Sequence, residues 1–472
     1  MNTLEAAVPL TRERYPAVTR RPSRRRAAAW TAGAIAVVWT TSLVVAVLWV
    51  VHGGVTDMTG GPGAALSSAG RLTGLIAANL LLLQVLLMAR VPLFERGFGR
   101  DAITRAHRFT GFWSFWLMLA HIALLVVGYA ADAGVAWWAQ LWDFVWNYPG
   151  MLLATAGTGA LVAVVVSSIR RARRRVRYES WHLLHLYAYV GVGLAVPHML
   201  WTGGDFIGDP VSTAYWWTLW AVAAASVVVY RIATPLVRSL FHDVRVASVR
   251  ADGSRGVAVR MTARRPIRAE AGQFFVWRFR DGPGWTRGHP FSLAADPATG
   301  ALEIAAAFAG DGARRLATLR PGTRVLVEGP YGTMTGSARR ASRLLMIGAG
   351  AGVAPLVGIL EAEYYAPGEA TLITRDHDSA GAMRMPQIAS LVAERGLRAA
   401  GLDGARRHGV SEWMPATHAA WAGPDLLRHI AGGLDDTDVF LCGPGAWMAS
   451  VRTDLRAAGV PADRIHSESF AH

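Results

Sequence analysis

Six apolar runs, at about residues 30–51, 66–89, 107–130, 149–169, 181–201 and 214–236, fill the first half of the chain. Each is long enough to cross a bilayer as one helix. The chain is 52% hydrophobic, with the excess concentrated before about residue 240, so a membrane-spanning bundle is the first expectation.

Two of the runs carry a histidine at both ends: HRFTGFWSFWLMLAH (107–121) and HLYAYVGVGLAVPH (185–198). A helix rises about 1.5 Å and turns about 100° per residue, so the step from His107 to His121 covers about 21 Å and ends about 40° short of four turns. Both imidazoles therefore share a face, at two depths. The step from His185 to His198 covers about 19.5 Å and matches in depth, but leaves the side chains about 140° apart unless a π-bulge or a kink at Pro197 takes up a residue. A lone histidine in an apolar helix is ordinarily a packing residue. Four at two matched depths in membrane spans, where polar groups are expensive and functional, are what two stacked bis-histidine haems need. His182 competes with His185 for the first pair. Phe112, Trp113, Phe115, Trp116 and Met118, between the two levels, are read either as filling the space between haems or as core packing.

Charge gives the bundle a direction. The chain carries a net charge of +15 and no lysine, so all 48 basic residues are arginine. They cluster beside apolar spans, which points to topology and lipid headgroups rather than nucleic acid. Arg90, Arg96, Arg100, Arg105 and Arg108 surround the second connection and RRARRRVR (170–177) fills the fourth. The first, third and fifth contain Asp57, Asp132, Asp143, Asp205 and Asp209 and no arginine. The positive-inside rule then places both termini in the cytoplasm, with His107 and His185 near the inner face and His121 and His198 nearer the outer one. The Arg-rich residues 1–29 are expected as a cytoplasmic tail, the competing reading being a twin-arginine or cleaved signal. In the third connection, AWWAQLWDFVWNYPG (136–150) is either an interfacial aromatic belt or a lid over the outer haem. Arg71, near the outer start of the second span, is expected to meet either a haem propionate or a buried acid. Cys442 is the single cysteine, so no internal disulfide and no cysteine-built zinc or iron-sulfur site can form.

After Arg238 the pattern changes. RVASVR, GVAVRMTA, FFVWRF, LEIAAAF and RVLVEG alternate and are separated by Gly, Pro and Asp turns, which predicts a small antiparallel barrel. From residue 343 strand alternates with helix, beginning RLLMIGAGAGVAPLVG, which predicts a doubly wound α/β domain. Gly348, Gly350 and Gly352 stand between strand and helix, where glycine lets backbone N–H groups approach a pyrophosphate; tight strand-helix packing would also account for them. Arg375, just past the TLIT strand, is placed to grip a 2′-phosphate, favouring NADPH with NADH as the alternative. Cys442 ends an apolar strand, where burial is the plain reading.

With RGHPFSL (287–293), AGDGARRL (309–316), EGPYG (328–332), the Gly348–Pro355 loop, FLCGPG (440–445) and HSESF (466–470) in that order, the soluble half resembles ferredoxin-NADP reductase type flavoproteins. From about residue 30 onward the chain resembles the transmembrane NADPH oxidase and ferric reductase superfamily. The resemblance implies a multi-domain protein: a cytoplasmic tail (1–29), an all-α six-helix transmembrane haem-binding bundle (30–240), an antiparallel β-barrel FAD domain (241–338) and an α/β Rossmann-like NAD(P)H domain (339–472). It implies that Arg287, His289, Pro290, Phe291 and Ser292 hold the flavin and its phosphates, with Gly329 and Gly332 beside them. Gly310, Asp311 and Gly312 would meet the FAD pyrophosphate, with Ala313 where a Thr is common. Gly348, Gly350, Gly352 and Pro355 would take the NAD(P)H pyrophosphate, while Cys442, Gly443 and Pro444 lie beside the nicotinamide and Phe470 covers the flavin.

The implied function is electron transfer from cytoplasmic NAD(P)H through FAD and two b-type haems to external O2 or a ferric chelate. A flavin takes a hydride and releases single electrons, which a haem requires. Two rivals remain on sequence alone: a membrane electron wire donating to a partner protein, and a flavin reductase merely tethered by a structural bundle.

Overall fold

A computed structural model describes residues 24–98, 100–169, 178–207, 209–308 and 310–468, so the tail through Ser23, the 170–177 arginine run and Phe470 lie outside the described residues. Two compact units divide at Thr234/Pro235.

The first unit is helical: α1 (Arg24–Val51), α2 (Gly54–Asp57), α3 (Pro62–Met88), α4 (Pro92–Phe98), α5 (Arg100–Ala133), α6 (Trp137–Asn147), α7 (Met151–Ser168), α8 (Tyr178–Trp201), α9 (Gly204–Ile207) and α10 (Pro210–Ser226). Proline occupies the first turn of α3 and α10, where its missing N–H has no helical partner to lose. Asp209 caps α10, its carboxylate accepting from Val211 N at 2.7 Å and Ser212 N at 3.1 Å. Among the described residues five segments are long and apolar enough to cross a membrane: Ala32–Val51, Pro62–Met88, Ala102–Ala133, Met151–Ser168 and Pro210–His242. The remaining expected span coincides with α8. The last span contains a π-helical stretch, Val227–Ala233, before α11 (Thr234–His242).

Helices in this unit meet through glycine. A Cβ on Gly157 of α7 would stand 2.6 Å from the Gly191 carbonyl of α8, and one on Gly191 would stand 3.0 Å from the Gly157 carbonyl. Between α3 and α5, a Cβ on Gly70 would reach Leu125 at 3.0 Å, and one on Gly74 would collide with the His121 ring. Lipid supplies no hydrophobic drive for helix association, so backbone approach of this kind is what packs the pairs.

The second unit opens with β1 (Val244–Ala251), β2 (Gly256–Ala263), β3 (Phe274–Phe279), β4 (His289–Ser292), β5 (Ala301–Ala307), α12 (Asp311–Leu316) and β6 (Arg324–Tyr331). The strands form a six-stranded antiparallel sheet in the order β4-β3-β6-β1-β2-β5. A single bridge, Leu293 to Ile304, links the two edges. Val259, Met261, Phe275, Trp277, Ile304 and Val325 fill its interior.

Next come β7 (Arg343–Ala349), α13 (Val353–Ala362), β8 (Ala370–Asp376), α14 (Met385–Arg395), β9 (Arg398–Asp403), α15 (Gly423–Ala431), β10 (Thr437–Cys442), α16 (Gly445–Ala457) and β11 (Ile465–Glu468). They build a five-stranded parallel sheet in the order β11-β10-β7-β8-β9. Separate apolar clusters cover its two faces, one around Leu344, Met346 and Phe440, the other around Leu345, Ile347 and Leu441. That is why these strands read as continuous apolar runs.

Arg384 pins the two sheets together. Only 1% exposed, it pairs with Glu303 of β5, donates to the Ala294 carbonyl at 3.0 Å, and its backbone N–H meets Asp252 at 2.7 Å. Removing one partner of a buried pair strands the other charge. Arg384→Ala is therefore expected to cost about 3 kcal/mol, read as an earlier thermal unfolding of the soluble unit, with Arg384→Ala/Glu303→Ala costing less than the sum of the single changes.

Candidate functional site

α5 and α8 carry the four histidines, and His107 of one helix meets His185 of the other. The rings of His107 and His185 lie 6.0 Å apart, centre to centre, with planes at 71°. Two imidazoles bound on opposite sides of one iron at about 2 Å each have centres about 6 Å apart, so this spacing fits an axial pair. At the second level His198 lies within electrostatic range of His121. Nδ1 of His121 meets the Gly70 carbonyl at 2.8 Å, and Nδ1 of His185 meets Ser168 Oγ at 3.4 Å. A ring nitrogen engaged in this way fixes the imidazole and directs its other nitrogen outward, the arrangement found for metal-binding histidines. Among the described residues no group of three or more His, Cys, Asp or Glu could hold a bare ion.

The structure bears on three expectations about the bundle. α8 contains no π-bulge; it is one α-helix with Pro197 inside it, and the π-helical stretch belongs to the following span. Second, Phe112, Trp113 and Trp116 do not fill the space between the histidine levels. They are 57%, 47% and 53% exposed and stand about 140–240° round the helix from His107, in edge-to-face contact with one another. Ser114 and Met118 share the histidine face instead. Third, Arg71 takes the ion-pair reading: Nε and Nη2 each reach Asp205 at 2.8 Å, and Nη1 reaches Asp57 at 2.6 Å. His52 joins this network between Asp205, at 3.3 Å, and Asp209. The tryptophans of α6 point outward while Gln140 and Phe144 pack inward, the orientation of an interfacial belt.

In the antiparallel unit, β4 lies against β3 with Trp277 opposite His289 and Phe274 opposite Ser292. Arg287, His289 and Gly312 line one cleft together with Phe279, Gly284, Trp285, Arg315 and Leu316. A Cβ on Gly312 would stand 2.8 Å from the His289 ring, so glycine at 312 lets the ring lie against the AGDGA segment. Pro290 and Phe291 continue the same strand, and Gly310 precedes α12 with open space beside it. Ser292 Oγ is buried without a hydrogen-bond partner among the described residues. Gly329 packs on Phe275, and a Cβ on Gly332 would stand 2.6 Å from the Glu468 carboxylate. Trp285 and Arg315 were not legible from sequence. Arg315 is held by Asp281 at 2.5 and 2.6 Å, a pairing across the cleft that no local pattern announces.

At the carboxyl ends of the parallel strands, Gly348 of β7 lies in register with Cys442 of β10. A Cβ on Gly352 would collide with the Cys442 carbonyl, and one on Gly443 would stand 3.1 Å from Ala349. Gly350 has φ 52° and open space on its Cβ side, so it is the position that faces outward, while Pro355 is buried within α13. Arg375 is not poised for a phosphate. It donates to the carbonyls of Trp413 (3.2 Å), Leu402 (3.2 Å), Gly404 (2.8 Å) and Asp376, and burial lowers its pKa. Burial first, then the Asp403 carboxylate, pushes the neighbouring Asp376 above the usual carboxylate range.

Residues 73–196 match the family model described as ferric reductase like transmembrane component. The ferredoxin reductase component of 3-ketosteroid-9-alpha-monooxygenase from Mycobacterium tuberculosis (strain CDC 1551 / Oshkosh) is 26% identical over 211 residues, covering 44% of this chain and 56% of the relative. The corresponding component from Rhodococcus rhodochrous is 28% identical over 127 residues, covering 27% and 33%. The chain thus spans between a third and just over half of the length of these curated relatives. Among solved structures, the ferredoxin reductase in carbazole 1,9a-dioxygenase covers 49% of this chain and 69% of its own at 23% identity and TM-score 0.39. A ferredoxin NADP+ reductase from Neisseria gonorrhoeae covers 48% and 97% at 18% identity and TM-score 0.39.

Cys442 is fully buried in the core beside Phe440, and burial, with Glu468 adding to it, pushes its thiol pKa up. The native protein therefore holds the protonated, unreactive form. N-ethylmaleimide at pH 8 should leave Cys442 unmodified in the folded protein and label it fully in denaturant, with mass spectrometry as the readout; rapid labelling of the folded chain would contradict this burial.

Proposed function

We propose that this ferric reductase/NADPH oxidase-like fusion, a membrane component joined to a ferredoxin-reductase-type module, moves electrons from cytoplasmic NAD(P)H to an acceptor outside the membrane. The carriers are FAD and two b-type haems, and the acceptor is O2, giving superoxide, or ferric iron. The observation that supports the reading is the meeting of His107 and His185 between two helices that also carry His121 and His198 further along. A free charge in hydrocarbon costs from about 3 to more than 10 kcal/mol, so an electron crosses by hopping between buried centres, and two stacked iron sites divide the distance.

In this scheme His107 and His185 hold the inner haem and His121 and His198 the outer one. The Gly70 carbonyl and Ser168 Oγ orient His121 and His185. The arginine distribution puts both termini in the cytoplasm. Arg287 and His289 line the flavin cleft with Gly312; Pro290, Phe291, Gly310, Gly329 and Gly332 shape it, and Ser292 supplies the buried hydroxyl. FAD, when bound, accepts a hydride and releases electrons singly, which matches the two-electron donor to one-electron haems. Gly348, Gly350 and Gly352 let the nucleotide backbone approach the end of β7, with Pro355 packing the helix behind them. Cys442 and Gly443 wall the nicotinamide side as packing groups, and Phe470 covers the flavin face.

The test uses purified full-length protein. His107→Ala and His185→Ala should each remove one haem equivalent and lower both superoxide formation and ferric-chelate reduction about 100-fold, while NAD(P)H still reduces the flavin. Retention of full external activity in these variants would leave the bundle a mere anchor, and acceptor reduction confined to one substrate identifies which of the two is physiological.

A further inference from the structure

We propose that Asp376 selects NADH over NADPH by meeting the adenosine ribose at the carboxyl end of β8, where Arg375 is already committed to backbone carbonyls. The inference rests on the nucleotide-binding reading above and deepens it. β7 is the central strand, with β10 on one side and β8 on the other. A dinucleotide whose pyrophosphate lies on the Gly348–Gly352 turn extends its nicotinamide half toward β10 and its adenosine half across the end of β8. Ala349 is in register with Arg375, which puts Asp376 one residue further along, beside the ribose. An acid at this position accepts hydrogen bonds from the ribose 2′- and 3′-hydroxyls.

A 2′-phosphate at the same place needs a cation, and Arg375, on the strand itself, is already engaged. Arg375 uses four of its N–H groups on the carbonyls of Trp413, Asp376, Leu402 and Gly404, and an arginine has five. Arg255 is paired with Asp378 at 2.5 Å, and Arg406 with Glu412 at 2.5 Å. Asp376 is also in register with Asp403 of β9, so a second carboxylate stands on the neighbouring strand. Hydroxyl donors suit two carboxylates, whereas a dianionic phosphate adds to their negative charge.

The test has two parts on the full chain in detergent. Anaerobic flavin reduction should show kcat/KM at least about tenfold higher for NADH than for NADPH, the effect of one partly screened like-charge contact, and Asp376→Asn should narrow that ratio by about tenfold. Calorimetry on the unmodified protein should show 5′-AMP binding more tightly than adenosine 2′,5′-bisphosphate, a readout that needs neither the variant nor turnover. Equal or better use of NADPH, or tighter binding of the bisphosphate, overturns the proposal. If both adenosine probes fail to bind and neither dinucleotide reduces the flavin, the nucleotide reading itself falls and takes this inference with it. If the probes discriminate as stated but no flavin is reduced, the specificity stands and the electron route is what fails.

Discussion

The membrane unit depends on how closely two pairs of helices approach. Where Gly157 faces Gly191 the backbones of α7 and α8 come within carbonyl contact, and Gly70 and Gly74 bring α3 against α5. These approaches set the positions of the histidines: the Gly70 carbonyl that meets His121 is available because no side chain separates the helices, and Gly74 leaves room for the same ring. In lipid, where apolar side chains gain little from leaving their surroundings, backbone contact and polar bonds carry the association. The positions of the histidines are thus a property of helix packing.

The soluble unit uses the same device for a different end. Gly348 and Gly352 let β7, α13 and β10 converge, Gly312 lets α12 reach His289, and Gly332 admits the Glu468 carboxylate. Each glycine removes a side chain where two segments approach closely. Arg384, bonded to both sheets, holds that arrangement at the cost of a buried charge that Glu303 offsets.

Periodicity and order carried most of the fold. The apolar runs, the antiparallel strands followed by a parallel sheet, and the shared face of His107 and His121 follow from spacing alone, because each depends on residues near one another in sequence. The failures share a different cause. Arg375 reads as a phosphate ligand when only its own strand is considered; the carbonyls that occupy it belong to residues 402, 404 and 413, which folding delivers. Arg384 sits in an unremarkable GAMRMPQ stretch, and nothing local marks it as buried. The aromatic residues after His107 were grouped by nearness in sequence, although helix rotation turns Phe112, Trp113 and Trp116 to the opposite face. For α8, the 140° mismatch left open a π-bulge or a kink at Pro197; α8 is one α-helix with Pro197 inside it, which leaves the proline as the place for any irregularity, and His185 meets His107.

The central proposal is that each histidine level holds a haem and that the flavin supplies both with electrons. The direct measurement is an anaerobic reduced-minus-oxidised spectrum of the purified chain, with NADH as sole reductant and haem and flavin quantified in the same sample. The account predicts two b-type haems per FAD, both reduced by NADH and both with bis-histidine spectra. A protein that binds FAD and oxidises NADH but contains no haem would contradict it.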